Sequence, residues 1–429
     1  MNFFNYYYIK KLISTPLASV IIILLAIIAR IWMQAHFAFI DTDKAYQIQA
    51  AQNLLAGNGL TIHDTLQPGF IPLVKWPPGY SFLLTPFLVI CNNDPFLATI
   101  LLDSLVALLF VLFSRKILLH LSLPVYLINI YTIVTGFFIY DFCTASTSDF
   151  LTLTLYIIAL SICLSIIKSP RQKPGSVLLL AFLLFYTGFT RYMFIPVAFA
   201  IPAYLAAIGF VKNNKRLLKN GVSIFLLVAA FTVLFLAIQH SYAGAIAYIA
   251  PAEKGFYPEH LLRTYPFFLA AIFNINFLCV QLEKLTGIPF LTFAAILVWL
   301  NYVILFSVLL LSAKWIFKRK SSNPSLLRHY INLGILSSIV IISLLLFLSL
   351  TNKALKTHVV FGWSFVQEGR YFAFVTFFIQ QLLFLLFAEY YESFKKWTRL
   401  LIIACFIILF SGVCHGIYYI LKISFTKYF

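Results

Sequence analysis

Two aspartates, Asp41 and Asp43, stand one residue apart directly after the first long apolar run of the chain. A carboxylate in that place can take the proton of an acceptor hydroxyl as a general base. Farther along the same polar stretch, Lys75 opens the segment Lys75-Trp76-Pro77-Pro78-Gly79-Tyr80. A lysine there offers a point charge to an anionic group such as a phosphate. Each feature also has a plainer reading. The aspartates can cap the helix that follows and gain from the field of its N-terminus. The lysine can snorkel to lipid head groups, and the double proline can be loop punctuation.

The elements that must position these residues are membrane helices. Hydrophobic residues make up 62% of the 429, charged residues 10%, and the mean hydropathy is +0.95. Soluble domains carry roughly a quarter charged residues, so this composition excludes a water-soluble globule. An α-helix needs about 20 apolar residues to cross ~30 Å of hydrocarbon, and every backbone amide inside lipid must be paired within the segment. The chain therefore reads as an all-α polytopic integral membrane protein. We place about eleven spans, near 17–38, 96–113, 124–141, 150–167, 176–190, 192–211, 221–239, 289–313, 331–351, 372–388 and 399–421. The first is expected to be retained, since no small-residue cleavage site follows it. No separate soluble domain interrupts positions 1–429.

Lysine and arginine total 31 against 13 acidic residues. The cations gather at span ends, at Lys10-Lys11, Arg115-Lys116, Lys168 to Lys173, Lys212 to Lys219, Lys314 to Lys320 and Lys395 to Arg399. That placement is the topogenic pattern of cytoplasmic loops, not a nucleic-acid groove. With the N-terminus inside, Asp41, Asp43, Asp64, Asp94, Asp141, Asp149, Glu253, Glu259, Glu283 and Glu368 all fall on the outer side. Acid–base chemistry is accordingly expected there. The outer loops 39–95, 240–288 and 352–371 are long enough to be functional, and Tyr265 to Leu282 suits a helix lying at the interface. The segment from Lys44 to Leu55 has helical composition and is stopped by Gly57-Asn58-Gly59. Arg30 and Asp103 lie at similar depth within their spans, which predicts that they face each other or share a polar cavity. Six scattered cysteines and the outer histidines His36, His63, His240, His260 and His358 show no metal spacing.

The aspartate after the first span, its spacing to Tyr46 and Ala50, the run Asn53-Leu54-Leu55-Ala56-Gly57-Asn58-Gly59-Leu60 and Lys75 to Tyr80 together resemble the first outer loop of GT-C glycosyltransferases. The branch is that of protein O-mannosyltransferases and bacterial lipid A aminoarabinose transferases. The likeness is strongest over about 36–90. It continues weakly through Ser146 to Phe150, Thr190-Arg191-Tyr192 and Glu368-Gly369-Arg370-Tyr371. The resemblance implies a hexosyl- or pentosyl-type transferase in a bacterial inner membrane, with its site facing outward. Its donor would be a polyprenyl-phosphate sugar and its acceptor a lipid, glycan or protein.

Carried over by position, Asp43 matches the catalytic aspartate, Lys75 the basic residue before the double proline, and Arg370 with Tyr371 the last-loop pair. Asp149 matches an aspartate that often begins the fourth span, and Arg191 is a looser match. The family pairs its aspartate with a glutamate, whereas this chain has Lys44, so the base is Asp43 or Asp41. Some relatives need a divalent ion and others do not, so no cofactor is assigned. A transporter or flippase of lipid-linked saccharides is the rival class, and a polymerase or ligase is a third. Transporter sites usually lie near the midplane between repeated halves, while these carboxylates gather at one surface.

Overall fold

A computed structural model describes residues 8, 10–37, 42–63, 69–74, 76–138, 147–169, 174–244, 256, 282–288, 310, 326–351, 373–390 and 396–426. Helix α1 spans Pro16–Phe37, α2 Thr42–Leu55, α3 Gly79–Ile90, α4 Pro95–His120 and α5 Val125–Phe137. Then come α6 at Thr147–Lys168, α7 at Pro174–Thr190, α8 at Phe194–Ala198, α9 at Ala200–Val211 and α10 at Lys215–Ala243. Helices α11, Leu326–Thr351, α12, Ala373–Tyr390, and α13, Lys396–Thr426, follow. Strands β1, Thr61–His63, and β2, Phe70–Pro72, form one antiparallel hairpin with Ile62 opposite Ile71.

Local chemistry explains where these helices begin and end. Pro95 occupies the first turn of α4, and the Asp94 carboxylate accepts from the amides of Phe96 and Leu97. Asn214 caps α10 in the same way at the Leu217 amide, and Gly244 closes it with φ +67°. Helix α2 stops as its glycines require. Gly57 turns left-handed at φ +82°, and the Asn58 amide returns to the Asn53 carbonyl at 2.9 Å.

Seven described stretches are long and apolar enough to cross a bilayer, and the molecule is a multi-pass all-α membrane protein. They match the expected spans on α1, α4, α6, α8–α9, α10, α11 and α13. Helices α5, α7 and α12 fall on three further expected spans but offer shorter apolar stretches. The span near 289–313, the interfacial stretch Tyr265–Leu282 and most of the loops 240–288 and 352–371 lie outside the described residues.

Helix α6 is the hub. An 18-residue stretch of it is 78% buried, whereas the corresponding stretches of α1 and α10 are 28% buried. It packs against α3, α4, α7, α9 and α11. The outer faces of α1 and α10 expose Leu24, Leu25, Ile28, Leu226, Val233 and Leu234, as lipid contact requires. Small residues let helices close up. A Cβ on Gly136 would lie 2.5 Å from Ala26 of α1, and one on Gly221 would lie 2.3 Å from the Ala206 amide of α9.

Helices α4 and α6 run parallel, with Phe110 against Phe150 and His120 3.3 Å from Ser165. Helices α7 and α10 run parallel to each other, through Phe185–Phe231 and Phe189–Phe235 contacts. The α6–α7 hairpin makes the second pair antiparallel to the first and brings the Thr152 and Thr190 hydroxyls to 2.7 Å. The start of α6 and the ends of α7 and α10 consequently share one end of the bundle. Arg115, Lys116, Lys168 and Lys212 to Lys219 lie toward the other.

Candidate functional site

The site is assembled at that shared end. Helix α2 presents Asp43 in its first turn, α6 presents Asp149 in its first turn, and Arg191 follows the last residue of α7. The Arg191 guanidinium bonds the Asp149 carboxylate through Nη2, and its Nη1 lies 4.0 Å from Asp43 Oδ2. Asp149 and Arg191 are buried, while the Asp43 side chain keeps 22% of its surface exposed. That difference matters chemically. The partly open carboxylate can meet a hydroxyl from solvent, and the enclosed pair behind it can hold its orientation.

A second ionic group adjoins the first. Lys44, the residue after Asp43, turns inward and places Nζ 3.7 Å from Asp103 Oδ2 of α4, and both side chains are almost wholly enclosed. Tyr80 of α3 donates its hydroxyl to Asp103 Oδ1 at 3.2 Å. Asp103, expected to face Arg30 or to share a polar cavity with it, is thus held by Lys44 and Tyr80. Arg30 donates to the carbonyls of Thr135 and Phe138, the latter at 2.7 Å. Helix α5 ends at Phe137, so its last carbonyls lack intrahelical partners and suit a buried cation. Lys44 reaches Asp103 from the first turn of α2, a helix that packs on α3, which in turn packs on α4.

The rest of the first loop is strapped down around α2. Tyr46 stacks on Trp76 with ring centroids 5.0 Å apart, and Ala50, Ile62, Leu73 and Trp76 form a small apolar cluster. The double proline delivers Gly79 against the end of α7. A Cβ there would lie 2.5 Å from the Phe189 carbonyl, and Tyr186 donates to the Gly79 carbonyl at 2.9 Å. Tyr192 donates to the Val74 carbonyl at 3.1 Å and accepts from Gln239 of α10. The chain next to Arg191 thus fixes the chain next to Lys75.

Of the residues picked out in the sequence, the structure brings Asp43, Asp149 and Arg191 together, with Tyr46 on the same helix as Asp43. Asp41, Lys75, Arg370 and Tyr371 lie outside the described residues. Among the described residues no cluster of three or more histidine, cysteine or carboxylate groups could hold a metal. Sequence reasoning missed Tyr80 as a partner of Asp103, because it ends the proline segment as an ordinary interfacial aromatic. Asp103 did carry a signal as a carboxylate within a span, but depth alone could not choose its partner. No family model, curated protein or solved structure matches this chain.

Proposed function

We propose that the protein is a GT-C-type membrane glycosyltransferase that moves a sugar from a polyprenyl phosphate to an acceptor hydroxyl. The observation that carries this reading is the convergence of Asp43, Asp149 and Arg191 in one ion-paired group. These residues come from three motifs spread over the chain, and the family resemblance had singled out each of them. The end of the bundle that holds the group faces away from the cytoplasm, since the basic span ends lie opposite.

In this mechanism Asp43 takes the proton of the acceptor hydroxyl as its oxygen attacks the anomeric carbon. The bond from that carbon to the phosphate oxygen breaks, polyprenyl phosphate leaves, and the configuration inverts. Arg191 is already engaged by two carboxylates and serves to orient Asp43. Charge on the departing phosphate falls to Lys75 and Arg370. Lys44 cannot replace the family's glutamate as a base. Held by Asp103, it fixes the turn of α2 that carries Asp43.

Purified protein incubated with a panel of polyprenyl-phosphate sugars tests the reading. Release of polyprenyl phosphate with at least one sugar, dependent on an acceptor, is expected. Transport of a lipid-linked saccharide across vesicles without any release would replace the enzyme with the transporter.

A further inference from the structure

Gln47 is fully buried, yet neither its Nε2 nor its Oε1 has a hydrogen-bond partner among the described residues. It lies four residues after Asp43 on α2, and so on the same face one turn along. The Cα–Cβ bonds of a helix tilt toward its N-terminus, which for Gln47 is the side of the Asp43 turn. Its polar neighbours are engaged elsewhere. Ser81 donates to the Gln47 carbonyl at 2.9 Å, Lys44 is paired with Asp103, and Asp43 is paired with Arg191. An amide left bare in the interior opposes folding, and a methionine would fill nearly the same space without that penalty.

Resting on the glycosyltransferase reading, we infer that the Gln47 amide is the sugar-recognition group of the site, bonding hydroxyls of the donor's sugar ring. A primary amide offers two donors and an acceptor side by side, which complements neighbouring hydroxyls. It carries no charge, so it suits the neutral sugar and leaves the phosphate to the cations. A buried group aimed at a substrate hydroxyl also discriminates strongly, because an analogue lacking that hydroxyl leaves the amide bare again.

The test compares full-length wild type, Gln47→Met and Gln47→Asn in nanodiscs. Thermal unfolding is followed, and affinity is measured for a polyprenyl-phosphate sugar and for bare polyprenyl phosphate. Wild type should prefer the sugar-bearing lipid. Gln47→Met should unfold at or above the wild-type temperature and lose that preference by about 10- to 100-fold, with unchanged affinity for the bare lipid. Gln47→Asn, which shortens but keeps the amide, should fall between. A wild-type preference retained in Gln47→Met overturns the inference and leaves the enzyme reading standing. If Gln47→Met does not fold, an undiminished preference in Gln47→Asn together with a lowered unfolding temperature assigns the amide a structural role and overturns it as well. A wild type that neither prefers nor turns over any sugar-bearing lipid removes the enzyme reading, and the inference with it.

Discussion

Asp43 differs from the other carboxylates of the site by being partly open while its cationic partner is buried. Asp43→Asn keeps the size of the side chain and removes its capacity to take a proton. Turnover should fall by about 10²–10⁴, with donor binding close to wild type in the same preparation. Asp41→Asn is the companion measurement. An inactive Asp41→Asn beside an active Asp43→Asn would move the base two residues upstream. Asp149→Asn should be milder, on the order of tenfold in kcat, because Arg191 then loses its closer ionic partner and keeps its contact with Asp43. Arg191→Lys replaces a planar fork by a point charge that cannot serve both carboxylates at once, and a loss larger than that of Asp149→Asn is expected. Equal, wild-type rates in all four variants would leave the ion-paired group without a catalytic role.

At the scale of elements, the buried Lys44–Asp103 contact fastens α2 to α4. Removing one member leaves the other charged in the interior, which typically costs about 3–5 kcal/mol. Lys44→Met should therefore unfold at markedly lower temperature. Lys44→Met combined with Asp103→Leu should recover most of the loss, since replacing a whole buried pair by apolar groups is often neutral. No recovery in the double variant would mean that the pair does more than bind two helices. Gly59 offers a separate check. Its φ is +73°, and a Cβ there would lie 2.5 Å from the Tyr242 hydroxyl of α10. Gly59→Ala should lower stability by about 1–3 kcal/mol and speed proteolysis of the first loop, and unaltered digestion would contradict the contact. Much of this arrangement was readable in advance. The apolar runs gave seven expected spans that are long enough to cross, Gly57 to Gly59 gave the end of α2, and the family resemblance picked out Asp43, Asp149 and Arg191 without foreseeing that they pair. The hairpin and the Tyr192–Val74 strap were not readable, because three-residue strands carry no usable period and a tyrosine hydroxyl gives no sign of which carbonyl it will meet. Lys44 was equally opaque, since its inward turn depends on how α2 packs against its neighbours in space.

For the whole molecule, the separation of charge along the bundle axis is the basis of the proposed orientation, with the basic end on the cytoplasmic side. Basic residues crowd the ends near Arg115, Lys168 and Lys212, where Lys212 Nζ lies 3.4 Å from His329 Nε2 and Tyr204 bonds the other ring nitrogen at 3.0 Å. A cysteine at Asn58, beside the end of α2, should react with an impermeant reagent added to intact cells. One at Asn213, in the turn between α9 and α10, should react only after permeabilisation. The reverse pattern would turn the molecule over and place Asp43 on the cytoplasmic side.

The ion-paired group also has a history within each copy of the protein. Synthesis proceeds from the N-terminus, so Asp43 and Asp149 emerge before Arg191 has been made. Until α7 has been added, the cation that pairs with both carboxylates is missing from the chain. Addition of the segment after α7 supplies both Arg191 and Tyr192, whose hydroxyl meets the Val74 carbonyl. The first loop and the α6–α7 hairpin are thus joined late, and a nascent chain halted between α6 and α7 would hold Asp43 without the arginine that pairs with it.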